Sequence, residues 1–130
     1  MALSRGLADT SVFIAREAGR TIRQQSIPDE LAVSVITIGE LRAGVLAAAD
    51  TGTRDRRLST LAAVLALRPL PIDEAVAAAW ARLRLTLREQ GLRMPVNDSW
   101  IAATAMALDV AVVTQDDDFP SLDLFDVIKV

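Results

Sequence analysis

The sequence predicts an α/β fold built on a central, mainly parallel sheet flanked by helices. Three observations predict it. Short β-branched runs such as LAVSVI (31–36) and VAVVT (110–114) alternate with stretches of helical periodicity, the pattern of a parallel sheet with helical connections. The 130 residues contain no repeat and no low-complexity linker, which fits one domain over 1–130. At 52% apolar, the chain can bury a substantial core.

Taken in order, LSRGLA (3–8) is a weak first strand, spoiled by Arg5 and Gly6. DTSVFIAREAGRTIRQQ (9–25) reads as a helix with Asp9, Thr10 or Ser11 as its cap. IPDE (27–30) is a turn, and LAVSVI is a buried strand. TIGELRAGVLAAA (37–49) is a helix, DTGTRDRR (50–57) a charged connection, and LSTLAAVLAL (58–67) a further helix. RPLPI (68–72) is a short extended piece. The long stretch 73–91 is a helix capped by Asp73 and closed by Gly91. A helix over 97–109 follows, then the strand 110–114 and a last short strand within LFDVIKV (124–130).

Absences narrow the chemistry. There is no His, Cys or Tyr, and the only Lys is Lys129. Ser-His-Asp and Cys-His nucleophilic sites, His-ligated zinc and the phosphate-cradling GK[ST] loop are therefore excluded. The lack of Cys, of a long apolar run and of a signal-like N-terminus points to a cytoplasmic protein without a membrane segment. Polar chemistry falls to carboxylates, Arg, Ser/Thr and amides, and carboxylates suit hard cations such as Mg²⁺ or Mn²⁺. A net charge of −3 argues against generic nucleic-acid binding but leaves room for a phosphate substrate at a metal-charged site.

In parallel sheets ligands sit beyond the C-terminal ends of the strands, and acids recur there. Asp9 follows the first strand; taken alone it is an N-cap. Asp98, with Asn97 as rival cap, stands at the mouth of its helix, three residues before Ile101, seven before Ala105 and ten before Leu108. It thus continues the stripe that faces the sheet. Glu40 lies inside a helix one turn before Gly44, where a solvated face is the competing reading. Asp116, Asp117 and Asp118 follow VAVVT, as a polar turn would, with Asp118 placed to cap the next element. Converging carboxylates repel unless they are protonated or neutralised by metal. Arg16, Arg20 and Arg23 recur at i, i+4 and i+7 on the first helix as one basic stripe, suited to phosphates or simply to solvent; Arg54, Arg56 and Arg57 read as a soluble loop. Trp80 and Trp100 read as core or interface residues.

LADTSVFI, SVITIGELRAG, NDSWIAATAMALD and VVTQDDDF, in this order with the ARLRLTLREQG helix between, resemble a PIN-domain ribonuclease of the VapBC toxin–antitoxin type. The resemblance implies the three-layer PIN fold and endonucleolytic cleavage of RNA with one or two Mg²⁺ or Mn²⁺ ions. It places metal-binding acids at Asp9, Glu40, Asp98 and Asp116, and supporting hydroxyls at Ser11 and Thr114. Asp118, from its own place in the acid triplet, reads as a secondary contact through a water. The resemblance further implies an antitoxin covering the site and a toxin homodimer, for which the Ala-rich helices offer shallow grooves. Two other classes stay open: a receiver-like phosphoacceptor domain, for which Lys129 is too terminal, and a non-catalytic interaction module keeping the fold alone.

Overall fold

Four short strands, all parallel, form the sheet: β1 (Arg5–Ala8), β2 (Glu30–Val33), β3 (Ala111–Thr114) and β4 (Val127–Lys129), in the order β2-β1-β3-β4. The computed structural model describes residues 3–130. Ala8 stands in register with Val33 on one side and Val113 on the other, so the two central strands, β1 and β3, end side by side. Everything that follows a strand therefore emerges along one edge.

Period-two alternation gives each face of the sheet its own core. Leu7 and Val112 point to one face, under α4 (Glu74–Gln90) and α5 (Val96–Leu108), where they meet Leu83, Leu87 and Ile101. Ala8, Val33 and Val113 point to the other, under α1 (Thr10–Glu17), α2 (Val35–Leu46) and α3 (Thr51–Leu65), where they meet Val12, Ile38 and Val64. This is the three-layer α/β architecture expected. Truncating a fully buried member such as Leu83 to Ala would cost about 2–5 kcal/mol. Among the described residues no helix is long and apolar enough to cross a membrane.

Several boundaries differ from expectation, each for a local reason. The first helix ends at Glu17 rather than near residue 25. Gly19 takes a left-handed φ of 71°, while the Gly19 and Arg20 N–H groups donate to the Arg16 and Ala15 carbonyls at 3.2 and 2.9 Å. That closes the helix as a Schellman motif. The chain from residue 20 continues irregularly to a 3-10 turn, Gln24–Ser26. β2 is shorter than LAVSVI because Ser34 leaves the strand and caps α2, accepting from the Ile36 N–H at 3.0 Å. The charged stretch 50–57 is not a connection but the first half of α3. Asp50 caps it through the Thr53 N–H at 2.8 Å, and Arg54 and Arg57 reach back to the Ala48 and Gly44 carbonyls at the end of α2 (3.2 and 2.5 Å). These arginines tie a helical hairpin rather than solvate a loop. α4 follows expectation, with Asp73 capping through the Val76 N–H and Gly91 left-handed at the end.

Gly6 does not spoil β1. It lies between β2 and β3, opposite Leu31 and Ala111, and a Cβ there would stand 2.7 Å from a Val113 methyl. The missing side chain lets the central strands approach.

Candidate functional site

The acids meet where the central strands end. Asp9 follows β1 directly, its N–H bound to the Val113 carbonyl at 3.0 Å. Asp116 lies two residues beyond β3, and Asp98 sits in the first turn of α5. Neither Asp98 nor Asn97 caps that helix. It begins at Val96, with Pro95 at the capping position, so Asp98 is already helical and aims its carboxylate at the sheet edge. Glu40 comes from the middle of α2 across the edge. Glu40, Asp98, Asp116 and Asp118 line one cavity of about 440 Å³. Asp9, Ser11, Glu40, Asp98 and Asp116 line an adjoining one of about 180 Å³.

Asp9 is the buried member, 2% exposed, and both of its oxygens are held. Ser11 Oγ donates to Oδ1 at 2.6 Å and Thr114 Oγ1 donates to Oδ2 at 2.7 Å. Each hydroxyl is itself oriented from behind. Ser11 Oγ accepts from the Gln115 N–H and Thr114 Oγ1 from the Asp116 N–H, both at 2.9 Å. The loop that carries Asp116 thus also sets the direction of the Asp9 carboxylate. Each Asp9 oxygen keeps lone-pair capacity for one further partner. Burial pushes the Asp9 carboxyl up to about 6, against the lowering hydrogen bonds from Ser11 and Thr114, with Asp116 adding repulsion.

Asp98 is half-buried and its carboxyl is also pushed up to about 6, first by burial and then by the negative charges of Asp9, Glu40, Asp118 and Asp116. A carboxyl that feels four others is a direct mark of convergence. Glu40 is positioned by a hydroxyl as well. Thr10 Oγ1 donates to Glu40 Oε1 at 2.6 Å and stands 3.0 Å from the fully buried Thr37 Oγ1. Among the described residues no three of these carboxylates already form a group that would grip an ion. Mutual repulsion favours that separation, and a hard divalent cation is what such an all-oxygen, all-anionic donor set fits.

Not every candidate reaches the site. Asp118 lines the cavity rim but caps nothing, because no helix follows it; Phe119 instead packs edge-on against Phe125, 6.4 Å between centroids. Asp117 points outward and pairs with Lys129 on β4. The arginine stripe is broken with the helix that would have carried it. Only Arg20 lines the acidic cavity, while Arg16 is exposed on α1 and Arg23 lies beyond its end.

Thr10, Thr37 and Gln115 also belong to the site: the sequence reads Thr10 only as a candidate helix cap, and singles out neither Thr37 nor Gln115. Thr37 stands three residues before Glu40 on the same helix face, a spacing that could have flagged it. Gln115 carried no signal. Its amide donates to the Val130 carbonyl at 2.7 Å and ties the loop after β3 to the chain end.

A parallel sheet whose central strands deliver acids to one shared edge, met there by acids from two helices, defines the class. Residues 7–124 match the PIN domain family, and the chain belongs to that family. It is 52% identical to ribonuclease VapC5 of Mycobacterium tuberculosis over 118 residues, 91% of this chain and 87% of that one. It is 49% identical to ribonuclease VapC4 of the same organism over 130 residues, all of both chains. The crystal structure of VapBC-5 from Mycobacterium tuberculosis, a member of the VapBC family of toxin–antitoxin systems, superposes with a TM-score of 0.90 at 47% identity. The match covers 98% of this chain and 99% of that one.

Proposed function

We propose that this chain is a metal-dependent endoribonuclease, the toxin of a VapBC-type pair, acting on RNA phosphodiester bonds in the cytoplasm. The observation that carries the reading is Asp9. A nearly fully buried carboxylate held by two hydroxyls, with three further acids around it, is costly to a fold unless a cation is to be bound. The names and the closeness of the VapC relatives support the reaction class.

In this reading Asp9, Glu40, Asp98 and Asp116 hold one or two Mg²⁺ or Mn²⁺ ions, and Asp118 assists from the rim. A divalent ion bound there supplies Lewis-acid polarisation of the phosphate and acidifies water for attack. The protein's own part is orientation. Ser11 and Thr114 fix the plane of the Asp9 carboxylate, and Thr10 fixes one oxygen of Glu40, so the ligands are set before the substrate arrives. Arg20, at the same cavity, offers a guanidinium to a phosphate oxygen. Leu46, Leu58 and Leu65 are each exposed on the α2–α3 hairpin, apolar side chains suited to an antitoxin segment or to a second copy in a homodimer.

Incubation of the purified chain with RNA and Mg²⁺ or Mn²⁺ tests this. Cleavage that EDTA abolishes and added metal restores is expected. RNA left intact under all metal conditions would leave a non-catalytic PIN module.

A further inference from the structure

We propose that a cleft beside α4, separate from the acidic cavity, binds the phosphate backbone of the RNA a few nucleotides away from the cleaved bond. The proposal rests on the ribonuclease reading for the identity of the polyanion.

The cleft, about 280 Å³, is lined by Arg84, Leu87, Arg88, Leu92, Arg93 and Met94. Arg84 and Arg88 lie one turn apart on α4, and Arg93 arrives from the connection to α5; all three are exposed. Like charges at this spacing destabilise a helix, and among the described residues no carboxylate forms an ion pair with any of the three. A chain of net charge −3 that must hold a polyanion needs such a local reversal of sign. Guanidinium suits it, because its planar fork of donors matches phosphate oxygens.

Chain continuity joins this cleft to the acidic cavity. Arg93 and Met94 line the first, and the next four residues, Pro95 to Asp98, line the second. The path from Arg93 to Asp98 is on the order of 10–15 Å, three extended steps and two helical ones, so a single RNA strand can touch both. The spacing is also rigid. Arg84 lies over the Trp80 ring, 5.3 Å from its centroid, and Trp80 stacks on Trp100 at 4.3 Å with an interplanar angle of 5°. Trp80 Nε1 donates to Ser99 Oγ at 3.0 Å, and Ser99 Oγ to the Val96 carbonyl at 2.5 Å. Ser99 and Trp100 directly follow Asp98. One indole thus fixes both a cleft arginine and the turn that presents the acid.

Phosphate contacts are independent of sequence, so a labelled single-stranded RNA of mixed sequence, about 20 nucleotides long, serves as the probe. Its binding to the full chain is followed by anisotropy in EDTA across a salt series. Arg88→Ala with Arg93→Ala should weaken binding about tenfold or more at low salt and flatten the salt dependence by about 0.7 per lost contact. Arg56→Ala with Arg68→Ala, the same loss of two charges on α3 and just after it, should do neither. Cleft variants with the affinity and slope of the wild type would overturn the proposal. So would variants that keep RNA but lose an acidic peptide, an outcome that would assign the cleft to a protein. RNA bound through the cleft but never cut with metal would overturn the nuclease reading alone; RNA cut, with cleft variants binding unchanged, would overturn the cleft alone.

Discussion

Asp9 and the Asp116–Asp118 loop carry the same functional group to the same sheet edge under opposite conditions. Asp9 is buried, and each of its oxygens is engaged by a hydroxyl that is itself held by a backbone N–H. The three acids of the loop are exposed; the side chains of Asp116 and Asp118 face the cavity and that of Asp117 turns to Lys129. The difference teaches how a cluster of like charges is built. One member is made rigid and desolvated, so that its geometry is decided by the fold. The others stay solvated, where water screens their repulsion. Asp98 stands between these extremes, half-buried on a helix.

The largest effect is expected at that intermediate acid. Asp98→Asn should reduce cleavage about a hundredfold or more, beyond the 10–100-fold typical of groups that merely orient a ligand, with an unchanged circular dichroism spectrum. Undiminished cleavage would remove Asp98 from the site.

Breaking the rigid side comes next. Thr114→Val keeps the shape but removes the donor to Asp9 Oδ2 and the acceptor for the Asp116 N–H. Cleavage should fall about 10–100-fold while Asp9 itself remains. A rate within twofold of wild type would show that Asp9 needs no such support.

The exposed loop should respond in a graded way. Asp116→Asn should weaken Mn²⁺ binding and cleavage most, Asp118→Asn partly and Asp117→Asn hardly at all, since Asp117 is occupied with Lys129. Metal titrations on the three variants decide this, and a dominant effect of Asp117→Asn would reassign the loop.

The smallest effect is on stability without metal. Asp9 and Asp98 both have carboxyl groups raised to about 6 in the folded chain from 3.8. Raised acids favour the folded state fully below pH 3.8, and that contribution is lost as pH rises through 6. The melting temperature of the metal-free chain should therefore fall between about pH 4 and pH 7. Asp98→Asn should flatten that fall and raise the neutral-pH value by a few degrees. Mg²⁺ should stabilise the wild type more than this variant. An identical pH profile in both would mean that Asp98 is not in the repelling cluster.

Much of this edge was legible beforehand because acids were recognisable against what surrounds them. Asp98 on an apolar stripe and Glu40 inside a helix stood out by periodicity alone, and the structure brings both to the cavity. Hydroxyls have no such contrast. Thr10 and Thr37 looked like ordinary cap and helix residues, and only the packing of α2 against α1 brings Thr10 to Glu40, with Thr37 beside it. The basic stripe of Arg16, Arg20 and Arg23 was good helical periodicity that a single glycine cancelled. Gly19 was visible, but a glycine reads as a helix end only when the following N–H groups find the carbonyls that close it.

What the sequence by itself determined is the α/β alternation, the caps at Asp73 and Gly91, the acids after the strands, and the exclusion of His and Cys chemistry and of a GK[ST] phosphate loop. These depend on neighbours within a turn or a strand, where propensity and period act. Only the tertiary structure decided that β1 and β3 lie side by side. That pairing puts Thr114 against Asp9 across 105 residues, buries Asp9, and makes separate acids into one field. The tertiary structure also decided that Arg93 joins Arg84 and Arg88 at one cleft, separate from the cavity that Asp98 lines. Strand order and helix packing are set by the summed burial of two core faces, and no local pattern encodes which distant residues that burial brings together.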